Sequence, residues 1–218
     1  MSTDLSSLAA APDRFLDDPD PAVRRLAVSG LAGRIEEPAA RAAVRARLRI
    51  DDAAAVRAEA AEVLAGAGMD VLGDLLQAAG DPDPGVREAA ITGIGEVGSP
   101  GGVATIEAIA RDPGEDRLVV EAAVAALGAI GDPDSLPLLL RLAGSGPPQI
   151  RRRAIVALTA FDGPQVEAAF AAAREDRNPL VRDVAEMILG RTITDLPGCG
   201  PIAALIADLE SDGPREDS

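Results

Sequence analysis

Apolar side chains recur along this chain at the spacing of an α-helix, within a phrase that is repeated six times. The phrase is clearest in LDDPDPAVRRLAVSGLAG from Leu16, AGDPDPGVREAAITGIGEVG from Ala79 and EDRNPLVRDVAEMILG from Glu175. In each copy an aliphatic residue, here called the anchor, is followed by Ala four positions later and by Leu or Ile eight positions later. Because offsets of 0, 4 and 8 fall on one stripe of a helix, each copy predicts an amphipathic helix.

The anchors follow one another at nearly constant intervals. They are Val23, Val56, Val86, Val119, Ile150 and Val181. Their spacings of 33, 30, 33, 31 and 31 residues indicate a repeated supersecondary unit. A second amphipathic stretch of roughly 10 to 12 residues lies between successive anchor helices, so each unit is predicted to be a helical hairpin. One hairpin cannot bury its apolar stripe alone, and we therefore expect the hairpins to stack.

Residues that favour helix ends flank the predicted anchor helices. Residues that can cap free N–H groups precede them at Asp20, Asp83, Asp116 and Asn178. Glycines that can end them follow at Gly33, Gly98, Gly131 and Gly190. Together with the repeat, these signals predict an all-α protein, an α-solenoid of about six stacked helical hairpins.

The repeat divides the chain into an array and a C-terminal segment. The array is predicted to span residues 1–190, followed by a capping segment with a short helix at 191–210 and a disordered acidic tail at 211–218. The six predicted units are 3–33, 37–67, 69–98, 101–131, 134–161 and 163–190.

The composition excludes most catalytic chemistry. The chain contains no His, and all 21 basic residues are Arg, so it has neither an imidazole base nor a lysine for a Schiff base. Its single cysteine, Cys199, lies in PGCGP without a base to activate it and cannot build a zinc site alone. We therefore expect no catalytic residues, no metal site, no cofactor and no enzymatic activity.

The charge of the chain narrows the classes of partner. The formal net charge of −15 repels phosphate backbones and anionic lipid headgroups, and three Phe with no Trp or Tyr offer little for base stacking. The N-terminal sequence lacks a basic start followed by an apolar run. We expect a cytoplasmic protein that binds neither nucleic acid nor membranes. The sequence does not indicate its oligomeric state.

Arginine follows the anchor in five of the six units, on the apolar side of the helix, where a charge needs a partner. Aspartate lies five residues before the anchor in four units. This spacing predicts an Asp–Arg ladder between neighbouring units. Its predicted members are Asp18, Arg24, Asp51, Arg57, Asp81, Arg87, Arg151, Asp176 and Arg182.

The ladder is interrupted in the middle of the chain. Val120 replaces the arginine of the fourth unit and Ser145 replaces the aspartate of the fifth. If the bonds cross to the adjacent unit, losing both members leaves no stranded charge. The alternative is a flexible or bent junction around residues 144–148. Two basic clusters, Arg41/Arg45/Arg49 and Arg151–Arg153, are compatible with either a solvated face or a binding role.

The pattern D-P-x-P-x-V-R-x-x-A-x-x-A-L-G, with a helix before it, resembles the HEAT-like repeat of the phycobilin lyase type over about residues 14–190. The resemblance implies a HEAT-like, armadillo-like superhelix whose anchor helices line a concave, partner-binding side. By that orientation, offsets 2, 6 and 9 from each anchor floor the groove. The predicted partner-binding residues are Arg25, Glu62, Glu88, Thr92, Glu121, Arg152, Val156, Asp183 and Met187.

These observations favour a non-catalytic scaffold or adaptor that binds a partner protein or peptide on its concave surface. The acidic groove positions favour a partner with basic residues. The resemblance also implies an alternative, a phycobilin-lyase-like enzyme subunit or a chaperone-like accessory factor for an enzyme. A nucleic-acid-binding HEAT-like protein is a further alternative, which the acidic concave positions disfavour.

Overall fold

The structure is a computed structural model and describes residues 5–194. Within these residues the chain is helical throughout, with short 3₁₀ turns between helices and no β-strand. The twelve described helices are α1 (Leu5–Ala10), α2 (Pro21–Gly30), α3 (Pro38–Ile50), α4 (Ala54–Ala65), α5 (Leu72–Ala78), α6 (Pro84–Val97), α7 (Val103–Arg111), α8 (Arg117–Ile130), α9 (Leu136–Ser145), α10 (Pro148–Ala157), α11 (Pro164–Arg174) and α12 (Pro179–Thr194). The predicted all-α class is confirmed.

The helices form two rows. The anchor helices α2, α4, α6, α8, α10 and α12 make one row, in which each helix packs against the next. The odd-numbered helices form the outer row, and from α3 onward each packs mainly against the anchor helix that follows it. The predicted α-solenoid of six hairpins is therefore confirmed.

Side-chain caps begin the anchor helices where the sequence predicts them. Oδ1 of Asp20 accepts a hydrogen bond from the Ala22 N–H at 2.9 Å, and Asp83 and Asp116 cap α6 and α8 in the same way. Asn178 accepts from the Leu180 N–H at 3.0 Å. These bonds satisfy amides that the helix itself leaves unpaired.

Two of the four predicted helix-ending glycines end a helix. Gly98 and Gly131 have φ of 68° and 67°, a left-handed conformation that favours glycine, and they end α6 and α8. The prediction is wrong for Gly33, because α2 ends at Gly30 and continues into a 3₁₀ turn. It is also wrong for Gly190, which lies within α12 and does not have a positive φ.

The core lies between the two rows, and small residues bring the anchor helices very close together. In α4 the stripe of Val56, Ala60 and Leu64 is fully buried. A Cβ on Gly95 would lie 2.9 Å from Cα of Ala126. A Cβ on Gly128 would lie 2.7 Å from Cα of Ala157. Only glycine allows this approach, so neighbouring anchor helices contact through their backbones.

The outer row is packed more loosely than the row of anchor helices. Clefts of about 190 Å³ between α3 and α5 and about 170 Å³ between α9 and α11 separate outer helices. We call the exposed side of the anchor helices the inner face.

Several predictions lie outside the described residues. They are the helix of the capping segment within 191–210, the acidic tail at 211–218 and Cys199. The last described helix, α12, continues to Thr194, four residues past the predicted end of the array at 190. No described helix combines the length and hydropathy needed to cross a bilayer.

Candidate functional site

All nine predicted partner-binding residues lie on anchor helices. Arg25, Glu62, Thr92, Arg152, Val156, Asp183 and Met187 are exposed, whereas Glu88 and Glu121 are half-buried. All nine occupy offsets 2 and 6 from their anchors, so they share one side of the row.

Offset 9 belongs to this face only in part, because Ala32, Thr159 and Gly190 are exposed at that offset. Ala65 and Gly95, at that offset, are buried where one anchor helix meets the next. Offsets −1 and 10 fall close to offset 6 at about 100° per residue, and they carry exposed Leu118, Leu180 and Glu96 instead. The sequence analysis missed these three residues, although the periodicity of the helix could have identified them.

An acidic cleft of about 400 Å³ opens on the inner face between α4 and α6. Glu62, Glu88 and Glu96 line it together with Thr92, and Gly85 and Gly93 contribute its backbone. No ion pair joins any of these three glutamates to another described residue. The cleft therefore gathers three carboxylates without a cation to neutralise them.

The environment of Glu62 opposes its ionisation. Partial burial raises the pKa of its carboxyl above the ordinary value, and the neighbouring charges of Glu59, Glu88 and Glu96 raise it further. Arg25 acts in the opposite direction without cancelling the shift. A cation placed in the cleft would relieve this strain by stabilising the charged form.

The nearest arginines are engaged elsewhere. Nη1 of Arg25 binds Oε2 of Glu59 at 3.1 Å. Nε of Arg117 lies 3.7 Å from Oε1 of Glu121, one turn along α8. The inner-face offsets −1, 2, 6 and 10 of α4, α6 and α8 carry no basic residue. The middle of the inner face is therefore acidic.

The C-terminal part of the inner face is more apolar. Val156 on α10 is 41% exposed, and Leu180 and Met187 on α12 are 58% and 51% exposed. Leu118 on α8 is 50% exposed at the same offset as Leu180. Arg152 and Asp183 lie among these side chains. Large exposed aliphatic groups gathered on one side of a helical array are typical of a contact surface.

The ladder arginines bind carboxylates of the following unit. In α2, Nε and Nη2 of Arg24 donate to the two carboxylate oxygens of Asp51 at 2.9 and 2.8 Å. Arg57 binds Asp81 in the same way at 2.8 and 2.9 Å, and Arg151 binds Asp176 at 2.8 and 2.6 Å. Each pair is bidentate, which fixes the position of one unit on the next.

Each ladder aspartate also organises its own loop. Oδ1 of Asp81 accepts from the Asp83 N–H at 2.9 Å, while its carbonyl accepts from Nη1 of Arg87 at 2.8 Å. Arg57 of the preceding unit thus binds the loop that begins α6. Hydrogen bonds from arginine lower the pKa of Asp81 and of Asp176. For Asp51 burial acts against ionisation, but bonds from Arg24 and the Ala53 N–H outweigh it and lower the pKa.

The structure adds one member to the ladder and leaves its two ends different. Arg87 binds Glu115 at 3.1 and 2.5 Å, one position after Gly114, where the repeat would place the carboxylate. Asp18 receives no arginine from a preceding unit, and its side chain accepts from the Asp20 N–H instead. Arg182 donates to the Asp176 carbonyl at 2.8 Å, and no carboxylate of a following unit occurs in the described part of the chain.

At the interruption, neither side has a stranded charge. Val120 is half-buried where an arginine would lie, and Oγ of Ser145 donates to the Arg141 carbonyl at 2.8 Å. Units four and five therefore meet without a ladder bond, while α8 and α10 still pack along their lengths.

The arginine cluster on α3 is bound to the neighbouring outer unit. Arg41 lies 3.2 Å from Asp70, and Arg45 and Arg49 both contact Asp74, at 2.6 and 2.5 Å. Asp74 is 7% exposed, so these arginines neutralise a buried carboxylate. In the second cluster Arg151 is a ladder residue, whereas Arg152 is exposed on the inner face.

Within residues 5–194, no group of three or more His, Cys, Asp or Glu side chains has the arrangement to hold a metal ion.

Comparison with known proteins agrees with this geometry. Residues 70–159 match the family of HEAT repeats. The complex of CpcE and CpcF of phycocyanin lyase from Nostoc sp. PCC7120 is similar at a TM-score of 0.63 and 22% identity, covering 81% of this chain and 74% of that chain. Escherichia coli YibA is similar at 0.63 and 20% identity, covering 95% and 80%. A sequence comparison with curated proteins finds no significant match. At these identities the structural likeness shows the fold.

Proposed function

We propose that this solenoid, whose residues 70–159 match HEAT repeats, is a non-catalytic scaffold or adaptor that binds another protein on its inner face. The observation that carries this proposal is the acidic cleft between α4 and α6, whose three glutamates form no ion pair with another described residue.

The contrast with the rest of the array supports this function. Elsewhere, buried or half-buried carboxylates such as Asp51, Asp74 and Asp176 are bound by arginine. The carboxylates that serve the fold are thus neutralised by arginine. The cleft glutamates at Glu62, Glu88 and Glu96 are not, which suggests that they serve a partner instead. Farther along the same face, α10 and α12 carry exposed aliphatic side chains. Protein partners are bound by apolar contact with charge at the rim.

Site-specific photocrosslinking in cells tests the proposal. Benzoylphenylalanine at Thr92 or at Val156 places the reactive group on the inner face, and the same residue at Ala104 or Ala171 places it on exposed positions of the outer row. We expect a discrete protein adduct from the two inner positions and none from the outer positions. Adducts from the outer positions alone, or none from any position, would overturn the proposal.

A second candidate is an accessory subunit of a bilin lyase. It is favoured by the likeness to the CpcE and CpcF complex, in which two protein chains associate. Mixing the purified protein with a linear tetrapyrrole and recording the visible spectrum separates the two functions. A red-shifted, stoichiometric absorbance change would favour the lyase-like role, and an unchanged spectrum would favour the scaffold.

A further inference from the structure

Building on the protein-binding function above, we propose that the inner face binds an amphipathic helix of the partner that is basic at one end and aliphatic at the other. The basic end enters the cleft at Glu62, Glu88 and Glu96, and the aliphatic end contacts Val156, Leu180 and Met187.

Charge determines where the basic end lies. The three cleft glutamates are the densest group of unneutralised charge on the inner face, and guanidinium or ammonium groups complement them. At the other end of the face, Arg152 would repel the same cations. A partner with basic residues along its whole length would therefore bind less well than one whose charge is confined to one end.

Apolar exposure determines where the aliphatic end lies. Among the described residues, six large apolar side chains are exposed, and three of them are Val156, Leu180 and Met187 on α10 and α12. Leu118 on α8 lies between these residues and the cleft. Covering these side chains removes aliphatic surface from water, which favours binding.

The distance between the two ends sets the length of the partner segment. The cleft lies between α4 and α6, three helix spacings from the boundary between α10 and α12, or roughly 24–30 Å at 8–10 Å per spacing. A helix rises 1.5 Å per residue, so a segment of roughly 16–20 residues spans it.

The floor between the ends favours a helix over an extended strand. Ala125 of α8, at offset 6 between the two ends, is small, so the partner can approach closely there. The described residues offer no β-strand edge to pair with an extended backbone. A helix satisfies its own backbone hydrogen bonds and needs only side-chain contact, as in other helix-in-groove complexes.

Synthetic peptides test this without knowledge of the natural partner. The probes are 20-residue Ala/Gln-based helices with three Arg in one terminal third and three Leu in the other, made in both chain directions. The control is a peptide of the same composition with Arg and Leu interleaved. By fluorescence anisotropy at 150 mM salt, we expect one split peptide to bind at least about tenfold more tightly than the control peptide, because only the split order matches both ends.

Matched variants of the protein assign the two ends. Glu62→Gln/Glu88→Gln/Glu96→Gln and Val156→Ser/Met187→Ser should each weaken the split peptide by about tenfold. Asp134→Asn/Glu167→Gln/Glu175→Gln removes the same charge from exposed positions elsewhere and should change the Kd by less than about twofold. Circular dichroism and thermal melts verify that every variant is folded.

The outcomes separate this inference from the function on which it rests. If the interleaved peptide binds as tightly as the split peptides, or if the control variant loses as much affinity as the cleft variant, the inference is wrong. If either of these results came together with inner-face crosslinks, the scaffold function would hold, and the partner would bind through a different kind of segment. If the inner-face positions gave no crosslinks, the proposed scaffold function itself would be wrong, whatever the peptides did.

Discussion

The ladder and the inner face present two sets of carboxylates on the same repeats, and the sets have opposite surroundings. Asp51, Asp81 and Asp176 each accept two bonds from an arginine of the preceding unit, and their pKa values are lowered. Glu62 lies beside other glutamates, and its pKa is raised. The repeat thus stabilises the charged form in one place and opposes it in another.

This difference in surroundings separates the carboxylates that stabilise the fold from those that do not. A paired carboxylate contributes to folding because its loss leaves an arginine stranded, whereas removing a repelled carboxylate relieves the folded state. Residues that the fold would be better without are candidates for function. The comparison can be tested from the ladder side, from its gap and from the cleft.

Removing a ladder arginine should have the largest effect. Arg151 is 2% exposed and is bidentate to Asp176, so Arg151→Ala strands a carboxylate and leaves a void. We expect the free energy of unfolding, measured by urea titration, to fall by about 2–4 kcal/mol. Arg182→Ala is the matched control and should cost less than about 1 kcal/mol. Equal losses in the two variants would show that the inter-unit bond contributes little.

The same pair should make stability depend on pH. The pKa of Asp176 is lowered in the folded protein, so its contribution is fully present above the ordinary value of 3.8 and is lost as the pH falls through the folded pKa. The difference in unfolding free energy between wild type and Asp176→Asn should therefore be constant from pH 7 to about 5. It should shrink below pH 3.8. A difference that persists at pH 2 would argue for a packing effect instead.

The ladder and the fold were accessible to sequence reasoning because they repeat. The anchor spacing identifies the hairpins, and five arginines at one helical position identify the donors. Glu115 was not accessible in this way, because the loop before α8 is arranged differently and moves the carboxylate by one position. The prediction from Gly33 and Gly190 was wrong because neither adopts the left-handed conformation with which Gly98 and Gly131 end their helices.

The inner face was only partly accessible. Offsets 2 and 6 could be assigned from the helical wheel, but offset 9 is exposed in some units and covered in α6, where Gly95 packs on Ala126. Glu96 and Leu180 occupy the neighbouring offsets and complete the surface. How closely adjacent helices approach is a property of three-dimensional packing, and it decides which borderline positions are covered.

Filling the gap in the ladder should have a moderate effect. Val120→Arg/Ser145→Asp supplies both members of the missing bond between units four and five, at positions that are half-buried and exposed. A double-mutant cycle should give a favourable coupling of about 1 kcal/mol by urea unfolding, although each single substitution is neutral or destabilising. Zero coupling would indicate that these two units lie too far apart or at a different angle for the bond.

Neutralising the cleft should have the smallest effect on stability, and its sign distinguishes it from the others. The pKa of Glu62 is raised in the folded state, so its charged form destabilises the protein at every pH above that value. Glu62→Gln should raise the unfolding free energy at pH 7 by no more than about 0.5 kcal/mol, since solvent screens this exposed group. The gain should vanish below the ordinary pKa of 4.5, where both states are protonated.

Urea titrations at pH 7 and pH 4 measure this gain in unfolding free energy, with Glu167→Gln on α11 as the exposed control. Destabilisation at pH 7 would mean that Glu62 serves the fold after all, and the cleft would lose its claim to be a binding site.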